Sequence, residues 1–306
     1  MESLYKWRTG LHSEPKIIKA LNILNVWILI LFMSFVSASQ AGEVLVSSQW
    51  LVKHQHDQDL LIVDARSEVE YRKGHISGAV NIPVKDTFNP LINTDRVGNL
   101  KHISELFSNA GIRNEQTVVI YDGNTYIDAG RVFWVFEVYG HKNVKLLDGG
   151  IKGWVAYSKQ SLSQVSKRPE KTRYIPTIEP ERHVTKFSMR LALEDKNKVI
   201  IDARTAKEFK GEASIAKRAG HIPNAINISW EENFVEINGI KMLKPVEELR
   251  KLYDGRVKNK QALLYCNKGK QSSLSYAILR QLGHNAAHYD GSWYEWGNDE
   301  KLPINK

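Results

Sequence analysis

Leu61-Ile62-Val63-Asp64-Ala65-Arg66, followed by Glu70-Tyr71 and then by Gly74-His75-Ile76-Ser77-Gly78-Ala79-Val80-Asn81-Ile82, decides the fold because it returns in the second half of the chain. There it reads Val199-Ile200-Ile201-Asp202-Ala203-Arg204, Glu208-Phe209 and Gly220-His221-Ile222-Pro223-Asn224-Ala225-Ile226-Asn227-Ile228, with eight extra residues ahead of the Gly-His pair. Val118-Val119-Ile120-Tyr121-Asp122 likewise matches Leu263-Leu264-Tyr265-Cys266, and Leu147-Asp148-Gly149-Gly150 through Trp154 matches Tyr289-Asp290-Gly291-Ser292 through Trp296. Self-similarity in a fixed order marks a tandem duplication. Each copy alternates short β-branched runs with amphipathic stretches such as Leu100–Phe107. That alternation predicts parallel strands joined by crossover helices, an α/β architecture in which each copy is a parallel sheet flanked by helices.

The 306 residues suit two domains of ordinary size behind a leader. The boundaries read as 1–41 for the leader, 42–158 for the first copy, 159–183 for a linker rich in Ser, Lys, Arg, Pro and Thr, and 184–306 for the second copy. Some extended structure is predicted around Arg173-Tyr174-Ile175-Pro176-Thr177. In the leader, basic residues precede the apolar stretch Leu21–Ala38, and Ser39-Gln40-Ala41 offers small residues for a peptidase. The expectation is a signal peptide and an exported, periplasmic or extracytoplasmic protein, with an uncleaved membrane anchor as the alternative. The formal charge of +9 is spread along the chain without Lys/Arg stripes interleaved with aromatics, so small anionic ligands fit better than nucleic acid.

Cys266 is the only cysteine, so no internal disulfide staples this fold. An apolar run, Gln261–Tyr265, leads into Cys266-Asn267-Lys268-Gly269-Lys270-Gln271-Ser272, and a helical pattern, Leu274–Leu282, closes at Gly283. A strand, a tight loop and a helix place the thiol where unpaired helix N–H groups favour negative charge, and the thiolate is the nucleophilic form. Lys268 and Lys270 add positive charge. The competing reading is a buried cysteine that packs as a small hydrophobe.

The Asp-Ala-Arg strand end, the Gly-His-Ile-x-x-Ala turn, the Tyr-Cys-x-x-Gly loop and the closing Asp-Gly-Gly/Ser…Trp together resemble the rhodanese family in its two-domain sulfurtransferase arrangement, from about Val44 to the C-terminus. The resemblance implies that Cys266 takes a sulfane sulfur as a persulfide and passes it to a thiol or cyanide acceptor, a covalent route that splits one transfer into two displacements. Asp122 stands at the cysteine position of the first copy, which therefore cannot run that chemistry and would wall one side of the site. Backbone N–H groups from Asn267 to Ser272, including those of Gly269 and Gln271, would cradle the anion, with Lys268 and Lys270 on the donor's oxygens and Gly269 at positive φ. Lys217 and Arg204 are further candidate contacts. No metal, nucleotide or organic cofactor is expected, and the partners are a small anionic sulfur donor and a thiophilic acceptor, with a protein acceptor also allowed.

Mercaptopyruvate enzymes of this family resemble Cys-Gly-Ser/Thr-Gly-Val in the loop and carry an arginine at the position of Glu208, so the loop lysines here favour thiosulfate. Asp64, Arg66, Asp202 and Arg204 read mainly as braces, and His75 and His221, present in both copies, as structural. Two rival classes stand beside this reading. One is a Cys-x5-Arg phosphatase, which Ser272 at the sixth position disfavours because no arginine is there to fork onto phosphate. The other is a non-catalytic sulfur-binding or persulfide-carrier module.

Overall fold

The computed structural model describes residues 43–92, 94–166 and 169–306. The leader expected at 1–41 lies outside the described residues. The first copy runs β1 (Leu45–Val46), α1 (Ser48–His54), β2 (Leu60–Asp64), α2 (Glu68–Lys73), β3 (Val80–Asn81), α3 (Leu100–Asn109), β4 (Thr117–Tyr121), α4 (Ile127–Val138), β5 (Val144–Leu147) and α5 (Gly150–Ser158). The second repeats the order with β6 (His183–Val184), α6 (Lys186–Ala192), β7 (Lys198–Asp202), α7 (Ala206–Phe209) and β8 (Ile226–Asn227). It then adds a hairpin, β9 (Phe234–Ile237) and β10 (Ile240–Leu243), before α8 (Val246–Val257), β11 (Gln261–Tyr265), α9 (Gln271–Gln281), β12 (Ala286–Tyr289) and α10 (Ser292–Trp296). The two five-stranded sheets have the same order, β1-β5-β4-β2-β3 and β6-β12-β11-β7-β8, and every pairing in them is parallel.

Alternation along the strands sets the layers, since successive side chains leave opposite faces. Val118 and Ile120 of β4, and Ala262 and Leu264 of β11, enter one large apolar cluster that is continuous between the copies. Val119 and Tyr121 join a smaller cluster on the outer face of the first sheet, and Leu263 and Tyr265 its counterpart on the second. The seam between the copies is the crossing of α4 over α9, the two helices that follow the loops of Asp122 and Cys266. A Cβ on Gly130 would meet the Leu274 backbone N and Cα at 3.0 Å, so glycine lets the helices approach this closely. The segment read as a linker packs back on the first copy, where the Tyr174 N–H donates to Ser108 Oγ at 3.0 Å and its ring is buried.

The repeated motifs have one structural meaning. Parallel pairing sets Asp64 opposite Tyr121 and Asp202 opposite Tyr265. The tyrosine hydroxyls donate to the carboxylates at 2.6 and 2.5 Å and accept the Ile76 and Ile222 N–H groups, each at 3.1 Å. Arg66 and Arg204 fork onto the same carboxylates and donate to Gly74 O and Gly220 O at 2.8 Å. His75 stacks on Tyr71 and His221 on Phe209, each bonding the carbonyl of the residue it stacks on. Both histidines are thus braces of the Gly-His-Ile turn.

Each copy also reaches over the other. The hairpin β9–β10 turns at Asn238-Gly239, both at positive φ (52° and 75°), the conformation a tight two-residue hairpin turn requires. Its Leu243 N–H donates to Asp148 of the first copy at 3.1 Å. In the opposite direction the segment Phe88–Val97, closed by the Asn89 N–H on Arg96 O (2.7 Å), gives its Val97 N–H to Asp290 of the second copy at 2.8 Å.

Candidate active site

Cys266 follows the last residue of β11 and lies beneath its loop, 1% exposed. Its N–H donates to Ser292 Oγ at 3.2 Å, and its carbonyl accepts the Trp293 N–H at 2.9 Å. Ser292 holds φ of 51°, the left-handed region that the first copy fills with Gly150 at 54°. A buried serine in that conformation is strained, and its hydroxyl, donating to Tyr289 O at 2.8 Å while accepting from Cys266, is what it adds over glycine.

The first copy shows what the loop is built to hold. Asp122 Oδ1 accepts the N–H groups of Asn124 (2.9 Å), Thr125 (3.1 Å) and Tyr126 (3.1 Å), and Oδ2 accepts the Ala129 N–H (3.3 Å) and the Thr125 hydroxyl (3.0 Å). A strand-to-helix loop thus closes on an anion that is part of its own chain, as successive N–H groups at a helix N-terminus favour. The loops have equal length from the strand end to the helix start, so Asn124, Thr125 and Tyr126 correspond to Lys268, Gly269 and Lys270. Among the described residues no backbone or side-chain acceptor takes the N–H groups of Lys268, Gly269 and Lys270. The paths differ in detail, with positive φ at Asn124 and Tyr126 in one loop and at Gly269 (74°) in the other.

A cleft of 920 Å³ opens beside this loop, walled by Thr94, Asp95 and Arg96 of the first copy and by Lys217, Lys268 and Tyr294 of the second, among others. Cys266 is buried and does not itself line the cleft, although Lys268 of its loop and the Asp290-Gly291 turn do. Lys268 faces the cleft with its ammonium 4.9 Å from the centre of the Tyr294 ring. Lys270 turns instead to the seam, over the Phe88 ring at 5.3 Å and 4.0 Å from Asp128. The two loop lysines therefore occupy different places. Lys217 stands on the cleft wall in the insertion that distinguishes the second copy, while its neighbour Arg218 is spent on carbonyls of the C-terminal segment, among them Leu302 O at 2.8 Å.

The remaining candidates divide the same way. Asn267 gives its amide to Glu208 Oε1 at 2.7 Å. Burial would raise the Glu208 carboxyl, yet bonds from Asn267 and Thr205 hold it below the ordinary value. Gln271 opens α9, and Ser272 is buried with its hydroxyl 2.9 Å from His288 Nε2. Burial pushes the His288 imidazolium far down, with Arg131 adding to the effect. Arg204 does not line the cleft: its guanidinium is fully buried, forked onto Asp202 and placed over the Trp293 ring at 4.4 Å, the geometry of a brace. Arg131 is not foreseen from the sequence, and Asp290 is foreseen only as part of a repeated motif. Arg131, on α4 of the first copy, is ion-paired with Asp290 at 2.6 Å and donates to the carbonyl of Gly269 at 3.1 Å. Burial alone would raise the Asp290 carboxyl, but Arg131 keeps it below the usual range. A lone arginine at the head of the apolar run Val132–Phe136 was the available signal.

The family model of the rhodanese-like domain matches residues 47–157 and 188–299. A protein of Saccharopolyspora erythraea named "Putative thiosulfate sulfurtransferase" is 34% identical over 275 residues, covering 86% of this chain and 96% of the relative. The "Sulfur carrier protein TtuD" of Thermus thermophilus is 32% identical over 281 residues, covering 86% of this chain and 97% of its own. Among solved structures, SseA of Escherichia coli, described as a 3-mercaptopyruvate sulfotransferase, superimposes with a TM-score of 0.73 at 27% identity, covering 82% of this chain and 99% of the other. With both copies matched, the same sheet repeated and a single cysteine at the second strand-to-helix loop, this chain belongs to the rhodanese family as a tandem of two rhodanese-like domains.

Proposed function

We propose that the protein is a sulfurtransferase that moves a sulfane sulfur from thiosulfate, or a similar inorganic donor, through a persulfide on Cys266. The observation that carries this reading is the pair of loops: one holds a carboxylate on its own N–H groups, and its twin begins with a thiol and leaves the corresponding N–H groups without an acceptor among the described residues. The Cys266 thiolate attacks the outer sulfur of thiosulfate, forming a new S–S bond while the old one breaks and its electron pair leaves with sulfite. Cyanide or a thiolate then attacks the outer sulfur of Cys266-S-S⁻, and the thiolate returns. N–H donors fixed before the reaction stabilise the negative charge that resides on sulfur at both stages. Lys268 and Lys217, on the cleft wall, bind the donor's oxygens.

The names of the relatives support sulfur transfer with a sulfur donor and an acceptor as substrates. Similarity to SseA favours 3-mercaptopyruvate as the second reading, and similarity to TtuD favours a carrier role in which a protein thiol collects the sulfur. Glu208 is bonded to Asn267 and Thr205 and caps α7, so no basic group at that position grips a keto-acid carboxylate. Steady-state assay of the full chain with thiosulfate and with 3-mercaptopyruvate, cyanide as acceptor and Cys266→Ser as control, tests the choice. A higher kcat/KM for thiosulfate is expected, and preference for mercaptopyruvate would overturn the donor assignment. We also infer export from the apolar stretch Leu21–Ala38. Intact mass of the protein recovered from its native host, showing loss of residues 1–41, would support cleavage of the leader, and their retention would support the anchor.

A further inference from the structure

We propose that Arg131, contributed by the domain without a cysteine, is a positioning residue for the Cys266 loop: it fixes the Gly269–Lys270 peptide so that the Lys270 N–H, which has no acceptor among the described residues, is left for the outer sulfur carried on Cys266. This rests on the reading of Cys266 as the sulfur-accepting nucleophile. The guanidinium is fully buried between Asp290 Oδ1 at 2.6 Å, Gly269 O at 3.1 Å and Asp95 O at 2.9 Å, with the Trp134 and Phe88 rings 4.5 and 5.8 Å away. The Gly269 carbonyl also accepts the Ser273 hydroxyl at 2.7 Å. Two donors thus hold that carbonyl on one side of the loop.

A trans peptide is planar, so its N–H points opposite to its C=O. With the Gly269 carbonyl held toward Arg131, the N–H of the same peptide, that of Lys270, faces the other way. Its counterpart in the first copy is the Tyr126 N–H, which donates to the Asp122 carboxylate at 3.1 Å. A buried ion pair alone is a poor stabiliser of a fold, because desolvation offsets most of its attraction. The bond to a loop carbonyl gives Arg131 a use that bracing does not require. It also gives the cysteine-less domain a direct hold on the reaction.

The test uses the full chain with Arg131→Lys, which retains a charge for Asp290 but cannot reach three partners at once, and the pair Arg131→Met with Asp290→Asn, which leaves no buried charge unmatched. Persulfide formation from thiosulfate and alkylation of Cys266 by iodoacetamide are both followed, beside thermal melting. Loss of a preorganised donor lowers kcat by about 10²–10³; misaiming one should cost about tenfold, with KM within about twofold because Arg131 does not line the cleft. Alkylation should slow by a similar factor. Alkylation that is unchanged or faster, with only the melting temperature lowered, would show a clamp that braces without aiming and would overturn the proposal. Alkylation needs no sulfur donor, so a wild type that takes no sulfur from thiosulfate would refute the donor assignment while leaving Arg131 tested.

Discussion

Removing the Asp122 carboxylate should destabilise the first domain far more than a loop substitution ordinarily does. Asp122 is 2% exposed and its two oxygens accept four backbone N–H groups and one hydroxyl at 2.9–3.3 Å. Hydrogen bonds to a charged group contribute about 1.5–3 kcal/mol each in net stability. They are not additive, and water can enter once the carboxylate is gone, so the loss in Asp122→Ala is closer to two bonds than five, about 3–5 kcal/mol. At roughly 2–4 °C per kcal/mol for a chain of this size, the melting temperature should fall by about 6–20 °C. Asp122→Asn keeps one acceptor oxygen and should lose about half as much. Thermal unfolding by circular dichroism, with thiosulfate:cyanide turnover measured well below the transition, reads both effects. Turnover should hold within about threefold, because the Cys266 loop has its own donors. A melting temperature for Asp122→Ala within about 2 °C of wild type would refute the idea that these loops are anion cradles.

Three further outcomes follow from the site. Lys268→Ala should raise the KM for thiosulfate by about tenfold, an effect that shrinks as salt screens the charge, whereas Lys270→Ala, facing Phe88 and Asp128, should leave KM within about twofold. Equal effects of the two changes in steady-state kinetics would contradict their placement. Gly269→Ala forces a side chain onto φ of 74° and sets its Cβ 2.8 Å from Asp290 O and 3.0 Å from Arg131 Nη1. Turnover should drop about 10²-fold, as for a lost oxyanion donor, and an active variant would show that the loop's path is not critical.

The third outcome concerns pH. Burial lowers the values of His288, His183 and His141, so the folded protein keeps them neutral while the unfolded chain protonates them below about pH 6.5. The unfolded state then binds more protons, so stability must fall as pH drops through 6.5 toward the lowered folded values. Melting curves from pH 7.5 to 5.5 should show that slope, and His288→Gln should flatten it. A slope unchanged by His288→Gln would mean that the imidazole is not held neutral.

The duplication was legible because the sites that recur do the same job twice. Asp64 and Asp202 each take a tyrosine hydroxyl and an arginine fork, and two segments so far apart in sequence share residues only when they share those bonds. Cys266 was legible because a strand end and a helix start bracket it within a few residues. What escaped depends on contacts between the copies. Arg131 reads locally as an oddity in an apolar helix and gains meaning only when α4 crosses α9. The difference between Lys268 and Lys270 is set by Phe88 and Asp128, from the other copy. The hairpin β9–β10 carried a signal that went unread, Asn238-Gly239 between apolar residues. The sequence makes Lys217 no more than a candidate contact, because nothing local says that the insertion around it forms a cleft wall.

The central claim is that Cys266 carries the sulfur. Intact mass of the full chain after thiosulfate alone, beside thiocyanate formation once cyanide is added, tests it directly because this chain offers one thiol. The account predicts one added sulfur atom on the wild type, its loss on adding cyanide with stoichiometric thiocyanate, and neither event in Cys266→Ser. Turnover without added mass, or persistent transfer by Cys266→Ser, would contradict it.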